Sequence, residues 1–435
     1  MSGNYSHTTR ATGSTLTATI YNGDHVNHIT NATPTGLDDY STNVSQMQTI
    51  TDPGEVGSES LATSTAGEFE RIRNIIKEIT GEAQWYVTPG TNLSSISSLR
   101  NLLINGGMSI AQQLTTFDST TTPANSDDTY MLDQWILLSD GNNIVDVTQQ
   151  TSGGVSGNEA YIRLDVETAQ KKFGILQVIE NKDLKETIGS TASLSFECKV
   201  SNATRLSDIR AVVLSWDSTA DTVTSDIVSA WNAEGAIVTP VANWTAENAA
   251  ANLGVTTSWV RYTITNISID TSSAANVGVF IYQNNVATND TVTDTVEITN
   301  VQLEAGANAS AFEYRSHGEE LHRAKRYYEN MNNAGLASYQ VCIGQCTAAT
   351  TARAIISYEV EKRIAPTVTI SAAGDFVLTQ AGGASQDVTV FTTSAPSVST
   401  VLGLLTVAAN LAAGNATRLT DDSNGNARIK IDARL

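Results

Sequence analysis

From residue 311 to residue 330 the chain reads AFEYRSHGEELHRAKRYYEN, its most concentrated supply of side chains that could do chemistry. His317 and His322 could pass protons, Glu313, Glu319 and Glu320 could serve as acid or base, and Arg315, Arg323 and Arg326 could grip an anion. Catalysis also needs a nucleophile, or an acid and base held by an orienting group, and the stretch has no glycine-rich nucleophile turn. A helix explains the same charges without catalysis. Glu319 and Glu320 suit its first turn and Arg323, Lys325 and Arg326 its later ones, as the helix dipole prefers. Leu321, Ala324, Tyr327 or Tyr328 and Met331 recur at helical spacing before Gly335 as a stop, which predicts a connecting helix within 316–337. The favoured reading is a charged joint between two β-rich parts, with a ligand site and a catalytic site as the alternatives.

Two smaller clusters could hold ions. Asp24, His25 and His28 form DHVNH, and a His-x-x-His pair with a carboxylate can hold a metal; turn formation or hydrogen bonding between chains is the competing reading. DDSNGN at 421–426 has the look of an ion-binding loop but lacks the glutamate that should complete it, so a hairpin turn on Asn424 and Gly425 is expected. Cys342 and Cys346 would share one strand face about 13 Å apart, too far for a disulfide unless the strand breaks. No P-loop, CxxC pair, dinucleotide fingerprint or Gly-x-Ser-x-Gly elbow occurs. The sequence therefore reads as a non-enzyme that requires no cofactor.

The elements that would position these residues are mostly strands. At 435 residues the chain needs more than one core. Charged residues are 16% and hydrophobic residues 40%; Thr and Val supply strands while Asn, Ser and Gly supply turns. A net charge of −20 repels phosphate backbones and anionic membranes, which argues against nucleic-acid binding. The start MSGNYSHTTR has no basic region before an apolar core, and VLGLLTVAANLAAG is too short to span a bilayer. A soluble, unprocessed chain without membrane insertion is expected.

Residues 1–66 form an arm with too little apolar content to fold alone. Residues 67–84 are a short helix, with a capping box at Thr65 and Glu68 and a stop at Gly81. Phe69, Ile72, Ile76 and Ile79 follow the 3-4-3 spacing of a heptad seam, and isoleucine at both kinds of position favours a homotrimer; packing of this face on the same chain is the alternative. A linker covers 85–100. From 101 to 315, runs such as FGILQVI, ASLSFECKV, IRAVVLSW and NVGVFIYQN predict a β-sandwich or jelly roll. Leu194, Phe196, Cys198 and Val200 should point inward, with Ser193, Ser195, Glu197 and Lys199 wet. Trp216 and Trp259 are expected in the core. Trp231 and Trp244 sit in a polar insertion, where they could contact a glycan or simply pack the loop. Residues 338–435 form a C-terminal β-domain.

Several motifs carry a resemblance. ATIYNGDHVNHITNATPTGLDDYS with TAGEFERIRNIIKEITGEAQWY, over roughly residues 17–86, resembles the N-terminal segment of tailed-bacteriophage fibre proteins. Asn-Leu-Leu-Ile-Asn-Gly-Gly at 101–107, Tyr-x-x-Asp-x-Trp at 130–135 and Val-Gln-Leu-Glu-x-Gly at 301–306 followed by Phe-Glu-x-Arg are similar to carbohydrate-binding-like jelly rolls of such fibres. EVEKRIAPTVTIS and the terminal Ile-Asp-Ala-x-Leu are similar to fibre tips. The resemblance implies a trimeric virion protein whose arm docks to a phage tail or capsid protein and whose β-domains meet a host-surface glycan. A capsid-decorating head fibre is the nearest alternative, and a glycan-cleaving tailspike a further one. If the heptad seam drives assembly, Ile72→Asp with Ile76→Asp will shift the sedimenting species from trimer toward monomer; an unchanged trimer would assign assembly to another surface.

Overall fold

Three runs, FGILQVI, IRAVVLSW and NVGVFIYQ, are apolar almost without alternation, so the strands they form need cover on both faces. The protein, described by a computed structural model, meets that need with a third layer. The structure describes residues 100–435 apart from 270–272, 285–291, 333–334, 384 and 424. The arm, the heptad residues Phe69, Ile72, Ile76 and Ile79, and Asp24, His25 and His28 lie outside the described residues.

The described chain is mainly β. Two six-stranded antiparallel sheets form a sandwich. The first runs Thr116–Phe117, Val145–Gln150, Tyr161–Val166, Thr295–Ala305, Thr191–Val200, Val260–Ser268; the second runs Trp244–Ala246, Ile209–Trp216, Asn276–Gln283, Phe173–Ile179, Ile136–Ser139, Thr129–Tyr130. Leu194, Phe196, Cys198 and Val200 of the first sheet join Ile175, Val213, Val279 and Ile281 of the second in the core between them. The other face of the second sheet carries Leu176, Val212, Leu214, Phe280 and Tyr282, and residues of the insertion between 217 and 250 cover it. On the first sheet, Ser193 and Ser195 are buried, contrary to the alternation. The chain after Ala305 folds back over them: Ser193 donates to the Gly306 carbonyl (2.8 Å), and Arg261 donates to Ser195 (3.0 Å) and to the Ser310 carbonyl.

Further on, Gln340–Cys346, Thr351–Ser357, Thr400–Val407, Ser385–Ser394, Phe376–Gln380 and Ala416–Asp421 close in that order into a six-stranded barrel. Phe376 and Phe391 meet edge to face inside it at 5.0 Å. A separate sheet of Tyr328–Met331, Ile429–Asp432 and Thr367–Ile370 lies beside it in the chain order. The strands on either side of 421–426 belong to different sheets and do not pair as the expected hairpin, while Asn424 lies outside the described residues. Asp421 organises the crossing instead, accepting from the amides of Gly425 (2.9 Å) and Ala427 (2.8 Å).

The helix predicted within 316–337 is shorter, spanning His317–Lys325 with Ser316 as its N-cap. Tyr328–Met331 pairs with Ile429–Asp432 instead. Pairing with a strand about a hundred residues away overrides local helix preference, as tertiary contacts routinely do. Glu313, Arg315, Glu320 and Arg326 of the charged stretch all have intramolecular partners. Arg315 donates to Glu313 (2.7 Å) and to the carbonyl of Asn101 (2.5 Å), while Glu320 accepts from the backbone amide of Asn105. Arg326 forks onto Glu180 (3.1 and 2.9 Å), which also accepts the Tyr327 hydroxyl (2.7 Å). Burial alone would raise the Glu180 carboxyl, but these bonds outweigh it and hold the group below its ordinary range. Lys362, with a fully buried side chain, pairs with the equally buried Glu329. Arg434 lies between the Tyr130 and Tyr328 rings, 4.1 and 4.5 Å from their centroids.

The three jelly-roll motifs converge on this joint. The Asn105 side chain bonds both the amide and the carbonyl of Ile110 (2.9 Å each) and the carbonyl of Asp133 (3.2 Å). The Trp135 indole donates to the Asn105 carbonyl (3.0 Å). At Gly106 a β-carbon would stand 2.1 Å from the Val301 carbonyl oxygen, so no larger residue fits the NGG turn without movement.

Removing one partner of a buried pair leaves the other charge uncompensated. Lys362→Met is expected to lower stability by about 3–5 kcal/mol, and Lys362→Met with Glu329→Gln to recover most of it. Chemical denaturation of the single and double variants checks both.

Candidate functional site

Neither tryptophan of the polar insertion is a free ring. Trp244 is 5% exposed, packs its ring 5.4 Å from that of Trp216, and donates its indole N–H to the Thr224 hydroxyl (3.2 Å). Trp231 is half-buried with its ring 5.9 Å from Phe280 and 6.2 Å from Tyr282. Both pack the insertion onto the outer face of the second sheet, where an apolar surface would otherwise meet water. Of their two readings, loop packing is the one this geometry fits. Trp216 is buried as expected.

Trp259 is the exception. It directly precedes the edge strand Val260–Ser268, and alternation along that strand puts it with Arg261 and Thr263 on the outer face of the first sheet. The register aligns Arg163, Glu297 and Lys199 across three strands, with Trp259 next beyond Lys199. The Lys199 ammonium stands 4.9 Å from the centre of the Trp259 ring, and the Tyr161 ring meets it edge-on at 5.3 Å. Glu297 receives Lys199 (2.7 Å) and Arg163 (2.9 Å), and Arg163 also reaches the Tyr161 hydroxyl (3.1 Å). Charge pairing thus fixes the polar row that flanks the aromatic ring.

A loop at 151–160 ties this half-buried ring to an exposed one. The Trp259 indole donates to the Gly153 carbonyl (3.2 Å). Tyr314, 55% exposed, donates its hydroxyl to the Ser156 carbonyl (3.4 Å), accepts from Asn300 (3.3 Å), and sits edge to face with Phe312 at 5.0 Å. Asn158 anchors the loop from below by donating to the Gly107 carbonyl (3.0 Å) and to Asn300 (2.8 Å). Two rings tied to one loop, beside the partly exposed Arg163 and Lys199 side chains, can stack on an apolar ring face and hydrogen-bond its substituents. Alternation could have revealed Trp259 from the sequence, whereas Tyr314 lies in an irregular segment with no periodic signal.

Acidic groups also gather around Asp146. Its carboxyl is pushed up to about 6, first by burial and then by the neighbouring charges of Glu167, Asp118 and Asp165. Asn125 donates to it (3.0 Å). Among the described residues no group of three or more His, Cys, Asp or Glu is arranged to hold a metal ion.

The folded chain holds the Asp146 proton more tightly than an unfolded carboxyl with its ordinary value of 3.8, so this contribution to stability is complete below that value. It is lost as pH rises through about 6. Asp146→Asn should flatten the pH dependence of the melting temperature across that window, and above it the variant should melt higher than the parent.

No family model matches this chain, and no curated protein matches it. Among solved structures, it overlaps the enzymatically active domain of a tailspike protein from bacteriophage CBA120, at 14% identity and TM-score 0.29, over 47% of this chain and 21% of that one. It thus spans about a fifth of the tailspike chain's length. A CBM61 module solved with β-1,4-galactotriose overlaps at 12% identity and TM-score 0.25, over 48% of this chain and 99% of that one. A tandem CBM22 domain from Paenibacillus barcinonensis overlaps at 10% identity and TM-score 0.23, covering 71% and 94%. All three scores are low, and the overlaps assign no function to the chain.

Proposed function

We propose that the chain is a glycan-binding attachment protein of a bacteriophage particle, a homotrimeric tail fibre that docks through its N-terminal arm and acts by binding. The phage assignment rests on the resemblance of residues 17–86 and 101–330 to fibre proteins. What carries the glycan reading is the pair of rings, Trp259 and Tyr314, pinned by one loop beside the Arg163, Glu297 and Lys199 row. Aromatic faces beside fixed hydrogen-bonding groups suit a sugar ring, which is apolar on its faces and hydroxylated at its rim. Display of three copies would turn weak contacts into avidity.

The same parts mounted on the head shell would make a capsid-decorating fibre, and imaging of intact particles distinguishes the two by where the density lies. A glycan-cleaving spike has one observation in its favour, the raised Asp146 carboxyl among other acids, since glycoside hydrolysis uses a paired acid and carboxylate. New reducing ends after incubation with host polysaccharide would establish cleavage and end the binding-only reading.

Trp259→Ala and Tyr314→Ala should each weaken binding to host surface polysaccharide about tenfold, the usual scale for an aromatic anchor, with the fold retained and only a small fall in melting temperature. Unchanged binding by both variants in a calorimetric titration would take the glycan contact away from this face.

A further inference from the structure

The outer surface of the barrel carries a row of apolar side chains that nothing in the described chain covers. Ile343 is 76% exposed and Ile355 63%, and Leu402 beside them is half-buried. In the barrel register Ile355 lies opposite Leu402, and Gly344 opposite Ala354, so Ile343 falls beside Ile355 one step further along. Ile343 also faces Arg418, and Leu402 faces Ser394. The row Arg418, Ile343, Ile355, Leu402, Ser394 therefore crosses five neighbouring strands, with adjacent side chains about 5 Å apart. Ala352, Ala354 and Ile356 are buried inside the barrel, which confirms that Ile355 points out. Contiguous exposed apolar side chains of this kind mark interaction surfaces.

Charge narrows the occupant. The chain carries 45 acidic residues against 25 basic ones, yet 337–358 and 388–420, which supply most of these strands, contain no aspartate or glutamate. Copies with a net charge of −20 repel each other across most of their surface, and least where carboxylates are missing. An anionic polymer would be drawn to Arg353 and Arg418, but the isoleucines between would offer it no hydrogen bonds. A second copy brings the same apolar row.

We propose that the row Ile343, Ile355 and Leu402 is a self-association face through which the barrels of two or more copies of this chain pack together. This surface is separate from the heptad seam and from the Trp259 ring, and its use depends on neither. Burial of the isoleucines supplies the gain, and with no carboxylate in 337–358 or 388–420 the charges to be kept in water at the rim are those of Arg353 and Arg418.

The full chain tests this in two ways. Ile355→Cys, treated with a short bis-maleimide, should give covalent multimers several-fold above Thr263→Cys, a control on the exposed edge strand of the sandwich, after subtraction of the background from Cys198, Cys342 and Cys346. Ile343→Lys with Ile355→Lys should weaken self-association in sedimentation at least about tenfold, because each ammonium would have to leave water at the contact. Both lysines replace exposed side chains, so an unchanged melting curve is expected; if the double variant fails to fold, the cross-link decides alone. Equal cross-linking at 355 and 263, or single copies at every concentration, overturns the proposal. An oligomer that persists in the folded double-lysine variant without cross-linking at 355 overturns this face and leaves the seam standing. Loss of binding to an anionic polysaccharide in that variant, with its mass unchanged, would reassign the face to a ligand.

Discussion

Charge taken out of water where the sandwich meets the C-terminal β-structure must be paired, and much else in the structure follows from that constraint. Lys362 with Glu329, Arg326 with Glu180, and Glu320 with Arg315 and the Asn105 amide all lie in one region. Each pair gains little over an apolar contact, but losing one partner would cost several kcal/mol, so the arrangement tolerates few alternatives. That is a reason to concentrate ionisable groups at a junction between two cores: apolar surfaces can slide, whereas forked hydrogen bonds fix register. The three jelly-roll motifs, distant in sequence, meet here because Asn105 links the 101–107 turn to Asp133 and Trp135.

A second consequence concerns where a ligand could be met. The second sheet is apolar on both faces and the insertion covers the outer one, which uses Trp231 and Trp244 as packing. The first sheet differs because its outer face is polar, with Arg163, Glu297 and Lys199 paired across its strands. Such a face can stay in water and hold an aromatic ring at its edge. Trp259 remains partly accessible for that reason, and the 151–160 loop ties it to Tyr314.

The acidic charge is unevenly spread. Carboxylates crowd around Asp146 and pair with cations at the joint, while most strands of the barrel have none. Uncharged barrel walls lined with Thr, Ser and Ala would be unremarkable by themselves. A row of exposed isoleucines is not, because each exposed branched chain forgoes the gain that burial gives it.

The sequence by itself determined the strands of the sandwich and barrel, since alternation and continuous apolar runs are local signals. It also carried the helix within 316–337 and the reading of the charged stretch as a joint. It did not determine where that helix stops, because Tyr328 is drawn into a sheet by Ile429–Asp432 at the far end of the chain. It placed Trp216 in the core correctly but put Trp259 there as well, whereas that ring is half-buried on an outer face: which rings become cover and which stay partly exposed depends on the face each strand turns outward and on the segment that folds over it. The crossing at Asp421 and the buried Ser193 and Ser195 were hidden for the same reason. Local pattern specifies elements, but burial is a property of what packs against them, and only the tertiary structure decides that.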